Sequence, residues 1–284
     1  MTRGIQIRFA RIGPVAAVGE PSAPDPATRS TRWTWVWAWI KRTLDIVGSL
    51  MLLSATLPLL LVIAVAIKLD SPGPVFYRVR RVGYRGRPLH MLKFRKMHRE
   101  ASGAPLTADG DRRLTRVGSV LHRSRLDELP QFWDVLRGRM SLVGPRPEDP
   151  TFVALHLDAY DRILSVRPGI TGISQLAFAE EHKILNEHDA IGDYVRRILP
   201  QKVALDIKYA DMSRMRLDLA VMLWTLVAML AKRPVAVHRS TLEMGLRRRP
   251  RPINTVEIAP VAERAPVAVL AATADAVPRQ QAAA

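Results

Sequence analysis

From Ile46 to Ile67 the chain reads IVGSLMLLSATLPLLLVIAVAI, with no charged position. An unbroken helix of that length is roughly 33 Å long, close to the hydrocarbon thickness of a bilayer. Pro58 falls near the middle, where it removes a backbone donor and leaves the Ser54 carbonyl without its helical partner. The hydroxyls of Ser54 and Thr56 are near enough in sequence to help satisfy that turn. Basic residues flank both ends: Arg29, Arg32, Lys41 and Arg42 before, Lys68, Arg78, Arg80 and Arg81 after. A spanning helix takes its orientation from an asymmetry in such charges, and none exists here. The segment 46–67 is therefore read as re-entrant, kinked at proline and leaving on the face it entered, rather than as a span. Ahead of it, Trp33, Trp35, Trp37 and Trp39 alternate with other residues. Alternation alone suits a half-buried strand. Beside an apolar segment and followed by Lys41–Arg42, it is read as an interfacial aromatic and basic belt over 31–45.

After Lys68 the pattern shortens. Turn signals at Ser71–Pro74 and Gly83–Pro88 bracket Val75–Arg78 and Leu89–Phe94, which read as the strands of a small hairpin. Residues 98–113 form a polar loop without periodicity. Leu114–Leu121, and then Leu126, Leu129, Trp133 and Leu136, have helical spacing. The stretches RGRMSLVGPRPED and SVRPGITGISQL are rich in glycine and proline and read as rigid, non-helical loops. Helices are expected at about 150–164, 180–198 and 200–211. The uncharged run Leu219–Ala231 is short for a span and reads as a buried or interfacial helix. The expected fold class is α+β and mostly helical: a re-entrant membrane helix followed by a small helical domain with a short β-hairpin.

Composition trims the ends. Residues 1–30 and 245–284 are Pro-, Ala- and Arg-rich without apolar periodicity and read as disordered tails. Lysine and arginine number 43 against 26 acids, a formal charge of +17. Such an excess implies an anionic partner: nucleic acid, acidic lipid or a phosphorylated ligand. Cysteine is absent, which excludes disulfides, thiolate metal sites and a cysteine nucleophile.

Against this positive background, RSRLDELPQFWDVL (123–136) keeps Asp127 and Glu128 side by side. Pro130 disfavours the α region at Leu129 and suits the start of a new helix, which would put both acids at a helix N-terminus. On propensity alone they are first-turn acids paired with Arg123 or Arg125. The alternative is chemical. Lys93 and Arg95 in KFRKM, Arg146 between Pro145 and Pro147, and Arg167 in RPGITG lie on loops, where an arginine fork can meet phosphate oxygens. A carboxylate pair among such cations is the minimum for Mg²⁺-assisted phosphoryl transfer, one acid serving the metal and the other attacking.

In order, KRTLDIVGSL, SPGPVFYRVRRVGYRGRPLHMLKFRKM, LTRVGSVLHRSRLDELPQFWDVLRGRMSLVGPRPE, RPGITGISQL and KVALDIKYADMSRMRLDLAVMLWTL resemble the bacterial sugar transferase family, the monotopic polyprenyl-phosphate phosphoglycosyl transferases, over about residues 38–231. The resemblance implies that Asp127 attacks the β-phosphate of a UDP-sugar, expels UMP and carries the sugar phosphate. A polyprenyl phosphate, usually the undecaprenyl form, then accepts it, in the first membrane step of an exopolysaccharide-type glycan. It implies Glu128 as the Mg²⁺ ligand, Pro145–Arg146–Pro147 as a nucleotide or phosphate contact, and Lys93, Arg95, Arg123 and Arg167 as phosphate-binding groups. It further implies a catalytic domain at 68–244 on the cytoplasmic face of the inner membrane, in a short, catalytic-domain form. Membrane lipids are implied partners, and self-association as a homodimer stays open. The chain departs from the family pattern at His122 and Arg125, just before the dyad, and at Lys96, where Ser or Thr is common. The competing reading is a non-enzymatic, membrane-tethered basic protein binding nucleic acid or anionic lipid. Acids at the centre of the richest constellation, and few aromatics among the basic loops, argue against it, so nucleic acid is not expected as a partner.

Overall fold

The computed structural model describes residues 31–99, 101, 111–179, 190–212, 215–231, 233–238 and 241–246. The expected tails, apart from Gly245 and Leu246, and the first part of the 180–198 helix lie outside these residues.

The Trp-rich segment and the apolar run form one helix, α1 (Thr31–Asp70), which continues through Pro58. The proline does not end it. Thr56 Oγ1 donates to the Leu52 carbonyl at 2.6 Å, an i to i−4 side-chain bond that does not fall on the Ser54 carbonyl left without its partner by the proline. Both ends of α1 are docked on the same body. Near the start, Lys41 donates to Asp218 and to the Val143 carbonyl, and Arg42 to the Val135 and Leu136 carbonyls. Buried Asp45 accepts from Ser141 Oγ at 3.0 Å and Leu142 N at 2.9 Å. Near the end, Ile63 and Ile67 pack with Phe94 and Leu121, and Asp70 accepts from Val117 N at 3.1 Å. Between Ser49 and Ile63, both buried, Leu50, Met51, Leu57, Leu61 and Val62 stand exposed.

The hairpin follows. β1 (Phe76–Val82) and β2 (Pro88–Phe94) pair antiparallel, Phe76 opposite Phe94 and Val82 opposite Pro88. β1 runs four residues beyond the expected Arg78 because its alternation tolerates charge: Arg78 and Arg80 point to solvent while Val79 packs inward on Leu89, Met91, Val135 and Met140. α2 (Arg116–Ser124) is capped by Thr115, whose Oγ1 accepts from Gly118 N at 2.9 Å. A 3-10 turn (Leu126–Glu128) leads to α3 (Gln131–Leu136).

The two segments read as loops pair with one another. β3 (Ser141–Val143) and β4 (Gly169–Thr171) form a parallel two-stranded ladder. Parallel pairing of three-residue strands leaves no period to read in the sequence. It depends here on glycine: a Cβ on Gly169 would lie 2.1 Å from Gly144 N, and one on Gly144 would lie 2.4 Å from the Arg167 carbonyl. Between the strands, the expected 150–164 helix is broken into α4 (Pro150–Val153) and α5 (Leu157–Ile163), with α4 capped by Asp149.

α6 (Ile173–Ala177), α7 (Ala190–Asp193), a π turn (Tyr194–Ile198), α8 (Leu199–Met212) and α9 (Met215–Ala231) complete the body. β5 (Val235–Val237) and β6 (Met244–Leu246) pair antiparallel, so ordered structure crosses the expected boundary at 244. Two main cores result. One joins β3, α6, α8, α9 and β5 through Val143, Ile173, Leu205, Tyr209, Val221 and Val235. The other joins α4, α5 and α8 through Phe152, Tyr160, Ile163, Leu199 and Val203. Asp218 links the first core to α1, accepting from Lys41 and, at 2.6 Å, from the Tyr209 hydroxyl.

Candidate active site

Asp127 and Glu128 lie on the 3-10 turn between α2 and α3. The direction change falls at Arg125, in the left-handed region at φ 57°, ψ 17°, not at the proline. Leu129 stays right-handed helical at φ −53°, ψ −37°. Phe132 N and Trp133 N bond back to the Leu129 and Pro130 carbonyls, and the helical hydrogen bonds outweigh the pre-proline preference. The strain at Arg125 is offset by its side chain, which donates to the Ala179 carbonyl at 2.6 Å. Immediately before the acids, Leu126 packs with Ile63, Ile67, Phe94 and Leu121, which seats the dyad against α1.

The acids do not pair with Arg123 or Arg125. Glu128 Oε1 accepts from Lys93 Nζ of β2 at 2.8 Å and from Arg146 Nη2 at 2.6 Å, while Oε2 has the longer 3.4 Å approach of Arg146 Nη1. Burial pushes the Glu128 pKa up, but the Arg146 and Lys93 charges and hydrogen bonds prevail and hold it well below the usual glutamate range. Asp127 is 3% exposed. Its nearest cation is Lys96, with Nζ 3.9 Å from Oδ2, beyond hydrogen-bonding distance. Burial raises its pKa, and Lys93 and Lys96 pull against that rise. Two adjacent carboxylates thus have opposite environments. Burial acts on both, but Glu128 is held ionised by two hydrogen-bonded cations, whereas Asp127 is not hydrogen-bonded to any cation.

Arg146 reaches Glu128 because its loop is fixed on both sides. Gly144 N donates to the Thr171 carbonyl at 2.9 Å and Gly169 N to the Pro145 carbonyl at 2.8 Å. Pro145 and Pro147 are buried, so they hold the loop's shape and leave Arg146 as the half-buried group between them. Of the residues singled out from sequence, Asp127, Glu128, Lys93 and Arg146 are brought together. Arg95 is not: its guanidinium is buried and donates to the Ser71 and Pro72 carbonyls and to Ser71 Oγ, stapling the loop after α1. Arg123 lies exposed on α2. Arg167 is exposed too, donating to the Gly138 carbonyl at 3.1 Å with its guanidinium 5.7 Å from the Tyr84 ring centroid. Neither of those contacts reaches the dyad. Sequence reasoning passed over Lys96 as a site residue, although its position in KFRKM was a signal. It also passed over Asp134, whose buried carboxylate accepts from Leu92 N at 2.9 Å and ties α3 to β2.

Residues 36–232 match the family described as bacterial sugar transferase. The chain belongs to the bacterial sugar transferase family. It is similar to the UDP-N-acetylgalactosamine-undecaprenyl-phosphate N-acetylgalactosaminephosphotransferase of Aeromonas hydrophila, 45% identical over 168 residues that cover 54% of this chain and 39% of the relative. It is also similar to the UDP-glucose:undecaprenyl-phosphate glucose-1-phosphate transferase of Caulobacter vibrioides, 37% identical over 195 residues, covering 67% of this chain and 69% of the relative. An exopolysaccharide production protein of Rhizobium leguminosarum is 40% identical over 146 residues, 48% of this chain and 73% of the relative. The chain thus spans well under half of one relative's length and about two thirds of another's. The first two relatives share undecaprenyl phosphate in their names but differ in sugar.

Proposed function

We propose that this bacterial sugar transferase family member moves a sugar 1-phosphate from a UDP-sugar to undecaprenyl phosphate, releasing UMP by way of an adduct on Asp127. The observation that carries this reading is the contrast within the dyad: Glu128 is held by Lys93 and Arg146, while Asp127 beside it has no hydrogen-bonded cation. A carboxylate stripped of water and not quenched by a direct ion pair is suited to nucleophilic attack. An Asp127 oxygen forms a bond to the β-phosphorus, the bond from that phosphorus to the bridging oxygen breaks, and its electron pair leaves on UMP. The phosphate oxygen of the lipid acceptor then attacks the same phosphorus, and the Asp127 carboxylate departs. Lys93 and Arg146 disperse charge on the phosphoryl oxygens in both steps.

Among the described residues no group of three or more metal-ligating side chains gathers. Mg²⁺ commonly takes one or two carboxylates and completes its shell with phosphate oxygens and water. Glu128 Oε2, with only the 3.4 Å arginine approach, fits the protein's share of that role. Mg²⁺ there would neutralise the donor's phosphates.

The membrane reading rests on α1. It is the one described helix long and apolar enough to cross a bilayer by length and composition. Its exposed middle, Leu50–Val62, is only about 20 Å of helix against a core of about 30 Å, and both ends dock on one body. That supports entry and exit on a single face, with the basic flanks pointing to the cytoplasmic side. Leu219, Leu223, Leu226, Met229 and Leu230 of α9 add exposed apolar surface. The dyad, seated on α1 through Leu126, would then work at headgroup depth, where a lipid phosphate lies. The test is a panel of UDP-sugars with Mg²⁺ and undecaprenyl phosphate: one donor should release UMP, and Asp127→Asn should stop it. If no donor gives UMP above the Asp127→Asn background, the reading fails.

A further inference from the structure

Three cations approach the dyad, and they do so unequally. Lys93 and Arg146 touch Glu128 directly, whereas Lys96 faces Asp127 from 3.9 Å. Lys96 makes a second contact instead: its Nζ lies 3.1 Å from His122 Nδ1. A lysine ammonium has only donors, so Nδ1 is the acceptor and the imidazole proton sits on Nε2. The two departures from the family pattern, at 96 and 122, are therefore in contact with each other.

The backbone fixes this arrangement. Thr115 N donates to the Lys96 carbonyl at 3.0 Å, and a Cβ on Gly118 would lie 1.8 Å from that carbonyl oxygen. Glycine at 118 lets α2 rest directly on the Lys96 peptide. His122 is four residues further along α2, on the same helical face, and so meets the Lys96 side chain. The Lys96 side chain is 20% exposed, with little room to wander.

We propose that Lys96 is a further phosphoryl-binding cation, on the Asp127 side of the site, and that His122 is the positioning residue that holds its ammonium off the nucleophile. The proposal rests on Asp127 being the attacking group. A lysine in direct contact with Asp127 would stabilise the ground-state carboxylate and slow its attack. Held 3.9 Å away, it gives one donor to His122 and keeps two for the non-bridging oxygens of the phosphorus that Asp127 attacks. Charge accumulates on those oxygens as the bond to UMP breaks, so the benefit falls on kcat more than on donor KM.

The experiment uses the full chain in lipid nanodiscs with the UDP-sugar that the wild type turns over, comparing kcat and KM for UMP release. Lys96→Met is expected to lower kcat about 10- to 100-fold with donor KM within about 3-fold. His122→Phe should lower kcat about 10-fold, and His122→Asn, which keeps an acceptor at the δ position, should recover most of it. In the Lys96→Met background, His122→Phe should cost almost nothing more, because its effect passes through Lys96. The inference is overturned if Lys96→Met stays within about 2-fold of wild type in kcat, or if the His122→Phe loss persists undiminished in the double variant. Should Lys96→Met fail to fold, the His122 pair decides alone: equal kcat for His122→Asn and His122→Phe overturns it. A wild type that releases no UMP removes the parent reading, and this one with it, whereas an active wild type with unaffected variants removes only the role of Lys96 and His122.

Discussion

At residue scale, the same kinds of side chain take on different work according to where their partners lie. Lys93 and Arg95 are two positions apart in KFRKM, yet Lys93 reaches Glu128 while Arg95, just past the end of β2, turns back to Ser71 and Pro72. Arg95→Ala should therefore lower stability by about 3–5 kcal/mol, since a buried, multiply bonded charge is lost and carbonyls are left unpaired. Arg146→Ala should instead reduce UMP release at least 100-fold with a smaller change in unfolding midpoint. Thermal unfolding beside turnover separates the two. The opposite environments of the dyad carry a second prediction. Burial raises the Asp127 pKa above 3.8, so ionising it in the fold costs stability once pH exceeds the unfolded value. Asp127→Asn should melt higher than wild type at pH 7, and the advantage should vanish below about pH 3.8. Glu128 runs the other way: its pKa is held well below 4.5, so its ion pairs stabilise the fold above that pH and are lost only as pH falls through the depressed value. Glu128→Gln should melt lower than wild type at pH 7. That Lys93 and Arg146 would gather at the Asp127–Glu128 pair was legible in sequence, because KFRKM, LDELP and GPRPE follow one another in order. The partners of Arg95 and Lys96 were not, because a strand's end decides which way each side chain turns.

At element scale, the hairpin was legible in its turn residues and α1 in its uncharged run. The β3–β4 pair was not, because two three-residue strands have no period, and what joins them is the close approach of Gly144 and Gly169 across the chain. Nor was the left-handed Arg125, a non-glycine residue whose side chain bonds to Ala179, far along the sequence. For α1, the apolar run alone could not distinguish a span from a re-entrant segment. The docking of Asp45 on β3 and of Asp70 on α2 favours the latter, because one body holds both ends. The chain has no cysteine, so single cysteines make a clean test. Thr43→Cys and Arg78→Cys, both at exposed positions, should be labelled from the same side of sealed membranes by an impermeant maleimide, and Leu57→Cys from neither. Labelling of positions 43 and 78 from opposite sides would make α1 a span.

At the scale of the whole molecule, the long helix α1, the dyad and the two main cores are fastened to one another by aspartates, three of the four buried. Asp45, Asp70 and Asp218 join α1 to β3, α2 and α9, and Asp134 joins α3 to β2. If α1 lies in a bilayer as proposed, its docking on this body would set the depth of the dyad, as a reaction between a water-soluble nucleotide sugar and a lipid phosphate requires. The excess of basic charge, which by composition alone could have meant nucleic acid, is in part focused on two carboxylates, through Lys93, Lys96 and Arg146. The direct measurement is the intact mass of the purified protein after incubation with Mg²⁺ and a UDP-sugar it turns over, in the absence of lipid acceptor. The wild type should gain the mass of one sugar phosphate, located by peptide mapping to Asp127 and discharged when undecaprenyl phosphate is added. UMP release with no adduct at Asp127, or an equal adduct in Asp127→Asn, would contradict the central claim.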